Sequence, residues 1–354
     1  MKPLVKESHS IRELGAVTLE NQWMAVTVLA DKGADIYKLT YKPQSLDVLW
    51  KVPGGLRVPG SATFVPPDSL AAWMDYYPGG WQELFPNGGD ACHYKGGLLP
   101  FHGEVANLPW NYSVIEENSH QVCVRFDVHT LRTPFHLERL MILGADAPIL
   151  TIQERLTNEG SEDMDLMWGH HPAFGAPFLS EHCRLDVPAH HYEADERYDP
   201  QNNPIRPGSH WFWPQVEDRY GRKVDLAHPR PAGAGLTMLG YFSGLSEGWY
   251  ALTNMQMGIG VGLVWPLDVL PYVWCYQEYN GSLAYPSYGR WYTLAVEPMS
   301  SFPGHGLEVA IQKGTARRLA AGQSLELELK VVFFKSTAGV WRIQPNGHVE
   351  IRTS

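Results

Sequence analysis

The sequence predicts an all-β protein, a large antiparallel sandwich, and three observations predict it. Apolar and polar residues alternate with period two along many short segments. Helical periodicity is scarce, and no rhythm of 10–15-residue helices separates the strand-like stretches, so a doubly wound parallel sheet is disfavoured. Turn chemistry is abundant, with 34 glycines and 27 prolines among 354 residues, which argues against long helices or coiled coils.

The elements follow in chain order. Residues 17–29, VTLENQWMAVTVL, read as two β-branched stretches broken at Glu20–Asn21. Strand-like segments recur near 122–128, 136–143, 149–156, 162–168, 259–265, 271–278 and 291–297. Turn signals punctuate them, among them Asn158-Glu159-Gly160 and Asn280-Gly281, the latter a hairpin pair. Along residues 325–334, Leu325, Leu327, Leu329 and Val331 point one way and Glu326, Glu328 and Lys330 the other, as in a half-buried strand. Residues 51–110 stand apart: rich in Gly, Pro, Trp and Tyr, they are too apolar for a linker and read as a long ordered loop, more often functional than decorative. No composition break marks a boundary, so residues 1–354 are expected to form one domain.

Composition narrows the partners. Hydrophobic residues make up 44% and charged residues 19%, enough apolar matter for a sizeable core. A net charge of −10 makes a nucleic-acid backbone an unsuitable partner. Cys92, Cys123, Cys183 and Cys275 show no C-x-x-C or zinc-like spacing and are expected as buried reduced thiols. The N-terminal residues lack the apolar stretch of a signal peptide, and no apolar run approaches the roughly 18 residues that span a bilayer. A soluble cytoplasmic protein without membrane contact is the expectation; the sequence leaves its oligomeric state unknown.

Three constellations could carry chemistry: Gly80-Trp81-Gln82-Glu83-Leu84-Phe85-Pro86-Asn87-Gly88-Gly89 followed by Phe101-His102-Gly103-Glu104; Trp168-Gly169-His170-His171-Pro172; and Tyr292-Thr293-Leu294-Ala295-Val296-Glu297-Pro298. On the last strand Thr293, Ala295 and Glu297 share a face, and the small residues leave space above the carboxylate. His170 alternates with Trp168 and Leu166 toward the packed face, whereas His171 falls on the other. An imidazole is the natural proton donor or acceptor at neutral pH. A metal set of His102, Glu104, His170 and His171 matches no strong ligand template. Aromatic faces stack on the C–H faces of sugars, and Gln, Asn, His and Glu bind their hydroxyls. A small-molecule sugar is therefore the expected partner, with Trp81, Gln82, Asn87, His102, His170, Trp274 and Gln277 as candidate contacts.

These blocks resemble the aldose 1-epimerase (galactose mutarotase) superfamily. GGWQELFPNGG and PFHGEVANLPW are similar to its glycine-rich loop and HG turn, GHHPAFG to its catalytic-histidine segment, and LAVEPMSS to its catalytic-glutamate segment. TVLADKGADIYKL and LAAGQSLELELKVVF extend the resemblance across nearly the whole chain. It implies a galactose mutarotase-like super-β-sandwich that interconverts the α and β anomers of an aldose, with no metal or other cofactor. By motif match His171 takes the acid role, Glu297 the base role, and His102 contacts the sugar near the anomeric centre. In that scheme Glu297 is ionised and His171 protonated before reaction. Two departures set the pocket apart: Trp81, Gln82 and Glu83 stand where the well-studied branch carries an Arg, and no match to its sugar-binding Asp is evident. Neither galactose nor glucose is therefore implied. Two other readings are a sugar-binding protein without turnover, which would have no need of the acid–base pair, and a carbohydrate lyase or hydrolase, which would need Glu83 or Glu104 as a second carboxylate.

Overall fold

Alternation along Ser324–Phe334 turns Leu327, Leu329 and Val331 inward, and the same rule, repeated strand by strand, builds two facing antiparallel sheets. The computed structural model describes residues 2–58 and 66–352. The smaller sheet has eight strands and the larger twelve. The larger begins as a meander, Leu4–Ile11, Leu14–Glu20, Met24–Leu29 and Asp35–Tyr41. It continues through Trp81–Leu84, Gly169–Gly175, Tyr292–Met299, Tyr272–Tyr279 and Leu236–Ser243 to a two-strand edge. Every pairing between named strands is antiparallel, so the expected fold class holds. One apolar cluster fills the space between the sheets, drawing Val17, Val26, Phe174 and Val296 from the larger and Leu137, Ile152, Leu263 and Val331 from the smaller. Burying such faces is the main drive to the sandwich.

The segment 51–110 is more regular than expected, residues 59–65 lying outside the described residues. It forms a helix, Ser69–Tyr76, whose first turn is capped by Asp68 accepting from the Ala71 N–H at 2.8 Å. It then supplies the strand Trp81–Leu84, which sits in the middle of the larger sheet. Asn280-Gly281 also departs from expectation. Asn280 takes the left-handed conformation, φ 63°, but it opens a long loop instead of a two-residue turn. That loop closes on itself through the Asn280 N–H to Trp291 O at 2.9 Å and Gly289 N–H to Ser282 O at 2.7 Å. All four cysteines are buried and unpaired. Among the described residues no helix is long and apolar enough to cross a membrane.

Candidate active site

Register places the chemistry. His171 pairs with Gln82 on one side, while Glu297 pairs with Trp274 on the other. Ala173 pairs with Ala295 between the two middle strands, and two residues further along, His171 and Glu297 come level. Gln82, His171, Glu297 and Trp274 therefore form one row across the larger sheet, on its outward face. His171 Nε2 lies 3.5 Å from Glu297 Oε1. The neighbours Thr293, Ala295 and Ala173 line the same cavity, of about 500 Å³; as expected, small side chains leave the carboxylate room.

Loops and the helix roof this row. Trp73 and Tyr77, one turn apart on and after the helix, stack at 4.2 Å and stand edge-on to His171 at 5.9 and 5.8 Å. His102 hangs from its own loop at 5.6 Å from the His171 ring. It adopts φ 59°, a left-handed conformation that a non-glycine residue keeps only under external constraint. The constraint is reciprocal: the His102 N–H donates to Gly89 O at 2.9 Å, and the Gly89 N–H donates to His102 Nδ1 at 3.0 Å. With Nδ1 accepting, the neutral ring carries its proton on Nε2. Trp50 and Trp291 complete an aromatic wall.

Burial acts on an acid and a base in opposite senses. It pushes the Glu297 carboxyl up to about 8 and pulls the His171 imidazole down to about 4. Burial thus favours the neutral form of each group, against the expected starting state of ionised Glu and protonated His. His102 falls well below its usual value, through burial first and then the nearby His171, and is neutral as well.

Of the predicted contacts, Trp274, His102, His171 and Glu297 line the cavity, and the others do not. Trp81 turns into the core and donates to His170 Nδ1 at 3.2 Å. His170 Nε2 faces Glu154 at 3.1 Å, so this histidine packs between the sheets, as its alternation indicated. Gln82 shares the His171 face, yet its amide donates to Asp35 at 3.0 Å and to Gly79 O at 2.8 Å. Asn87 ties loops together, donating to Asp90 O and Pro100 O and accepting from the Leu307 N–H. Gln277 points inward and accepts from the Tyr279 hydroxyl at 2.9 Å. A central strand is buried on both faces, so its polar side chains find protein partners first. The set His102, Glu104, His170 and His171 does not converge: Glu104 accepts from the Leu131 and Arg132 N–H groups, both at 2.8 Å, and His170 lies behind the sheet.

Sequence reasoning missed the far wall. Asp195, His305 and Arg197 line it. His305 Nε2 lies 2.8 Å from Asp195, whose other oxygen accepts from the Arg197 and Tyr198 N–H groups at 2.8 and 2.7 Å. Burial alone would raise this carboxyl; hydrogen bonds from His305 and Tyr241 hold it below its usual value. No motif marks these residues. The helix carrying Trp73 was findable, since Asp68 precedes a run of helix formers.

Fold and site together define the class. Solved structures share the architecture at low identity. One is a galactose mutarotase-like protein from Clostridium acetobutylicum, with TM-score 0.64 and 16% identity, covering 94% of this chain and 99% of that one. Another, from Lactobacillus casei, has TM-score 0.58 and 18% identity over 90% and 100%. The Slr1438 protein from Synechocystis has TM-score 0.61 and 17% identity over 95% and 97%. The chain thus has the galactose mutarotase-like fold its motifs implied. By sequence it belongs to the family described as a domain of unknown function, DUF4432, whose model matches residues 12–207. None of the curated proteins matches the sequence.

Proposed function

We propose that the protein is a carbohydrate mutarotase of the aldose 1-epimerase type, interconverting the α and β anomers of an aldose by acid–base ring opening. The observation that carries this reading is the His171–Glu297 pair, in contact at 3.5 Å within an aromatic-walled cavity. Ring opening moves a proton off the O1 hydroxyl and another onto the ring oxygen, with no net charge change. A pair that shares one proton between about 4 and 8 meets that demand. Glu297, holding the proton, gives it to the ring oxygen, and His171 Nε2 takes the proton from O1. Rotation about C1–C2 then exposes the other aldehyde face, and both transfers reverse. These roles invert those implied by the motif resemblance, because burial favours the neutral form of each group. His102, with its proton on Nε2, donates a hydrogen bond near the anomeric centre. Trp73 and Tyr77 offer ring faces to the sugar's C–H groups.

Saturation-transfer NMR on a panel of freshly dissolved aldoses tests this directly. Protein-dependent exchange between the two anomeric signals of at least one sugar is the expected result. Sugar binding without exchange across the panel would refute turnover and leave a binding protein.

A further inference from the structure

Away from the pocket, three side chains converge on the surface of the smaller sheet. His129 ends the strand Gln121–His129 and pairs across the ladder with His136 of Phe135–Gly144. Their imidazoles stack at 4.1 Å with planes 5° apart. Glu159 follows the next strand, Ile149–Asn158, and its backbone N–H donates to Pro134 O at 2.8 Å, which anchors its main chain beside the hairpin that carries the pair. His129 Nδ1 lies 3.1 Å from one carboxylate oxygen and His136 Nδ1 3.9 Å from the other. The three donor atoms all fall within 4.8 Å of one another.

Hydrogen bonding leaves this cluster incomplete. The His136 side chain is 16% exposed, its Nε2 is buried with no partner, and its Nδ1 is too far from Glu159 for a hydrogen bond. Of the two nitrogens only Nε2 is buried without a partner; Nδ1, on the Glu159 side, makes no hydrogen bond among the described residues and is open to water or an ion. Two imidazoles and a carboxylate are a donor set that suits borderline divalent transition ions. Around a four-coordinate ion with bonds of about 2.0–2.2 Å, neighbouring donors stand roughly 3.3–3.6 Å apart. His129 Nδ1 and its carboxylate oxygen, at 3.1 Å, stand close to that spacing, and all three donors lie within 4.8 Å, near enough to close on one ion. Parallel rings do not aim both lone pairs at one point, so one ring must turn. His129, 59% exposed, is free to do so while His136 and Glu159 stay in place.

We propose that His129, His136 and Glu159 form a surface site for one divalent transition-metal ion of the zinc type, with a water completing its coordination. The ion would clip the 121–144 hairpin to the turn after Asn158. That hairpin's tip, residues 130–134, caps Glu104 through the Leu131 and Arg132 N–H groups and the Thr133 hydroxyl at 3.1 Å. Glu104 lies two residues past His102, so the clip would brace the loop that seats His102 without entering the pocket.

Calorimetric titration of the chelator-stripped full chain with zinc chloride is the test, alongside cobalt(II) absorption to report the coordination. One saturable equivalent is expected, weakened at least about tenfold in His129→Gln and in His136→Gln, with the four-coordinate cobalt bands lost in both. Circular dichroism confirms that each variant is folded, and Glu159→Gln provides a third probe at an exposed position. No saturable zinc uptake overturns the proposal. So does uptake that persists unchanged in both histidine variants, which would place the ion elsewhere, His102 and His171 included.

Discussion

Glu297 and His171 titrate in opposite directions from their usual values, and this sets how activity should follow pH. Below about 4 the pair carries a second proton and His171 cannot accept; above about 8 it has lost its only one. The rate should describe a bell whose acid limb belongs to His171 and whose alkaline limb belongs to Glu297. Glu297→Gln keeps the shape but cannot transfer a proton, so anomer exchange should fall about 10²-fold or more, with sugar binding far less affected. His171→Asn should do the same. Folding stability supplies an independent check. A carboxyl whose pKa is raised in the folded state contributes stability below its unfolded value of 4.5 and loses it as pH rises through about 8. Thermal unfolding should show Glu297→Gln gaining on the parent protein across that interval and levelling off above it. A melting difference that is flat with pH would mean that Glu297 is not held in its neutral form.

The strands and loops decide where these groups meet. Two central strands bring His171 level with Glu297, and Pro172 fixes the extended path of the first. The loop bearing His102 depends on one glycine. Gly89 sits at φ 73°, and a Cβ there would stand 1.7 Å from Gly304 O. Gly89→Ala must therefore push the two loops apart, cost about 1–3 kcal/mol of stability, and pull the N–H away from His102 Nδ1. Exchange kinetics should show a rate loss in this variant that exceeds what the unfolded fraction explains. If the rate per folded molecule were unchanged, His102 would not be working at the site.

At the scale of the molecule, a buried polar network ties the sheets together behind the site. Arg139, from the smaller sheet, donates its Nε–H to Glu154 at 2.7 Å and its Nη1–H to Ala34 O at 2.9 Å, and pairs with Glu83 of the larger sheet. Trp168 donates to Glu83, and His170 closes the set through Glu154. Burial and the neighbouring Glu154 push Glu83 up to about 7; burial also opposes ionisation of Glu154, but His170 and Arg139 outweigh it and hold it at about 2. Removing the cation leaves buried carboxylates uncompensated, so Arg139→Met should cost about 3–5 kcal/mol in denaturant unfolding. His170→Asn removes the partner of Glu154 and Trp81 and should cost about 1–3 kcal/mol while leaving the rate of the folded protein close to normal. Loss of turnover in a well-folded His170→Asn would overturn the division between the two adjacent histidines.

What the sequence determined by itself is whatever depends on local periodicity. Alternation along 325–334 marked a half-buried strand, and alternation around His170 and Glu297 told which of each neighbouring pair faces the core. Both follow from the two-residue repeat of a strand, which needs no knowledge of its partners. The order of the motif blocks was legible too, and with it the fold. The tertiary structure decided the rest. Trp81, Gln82, Asn87 and Gln277 carry the right groups for a sugar, but sheet pairing surrounds them with protein donors and acceptors that use those groups first. Asp195 and His305 stand 110 residues apart and meet only through the closed fold. The proton's place on the His171–Glu297 pair was beyond the sequence for the same reason: it depends on how completely the folded chain excludes water from the two groups, a property of the closed cavity and not of either residue.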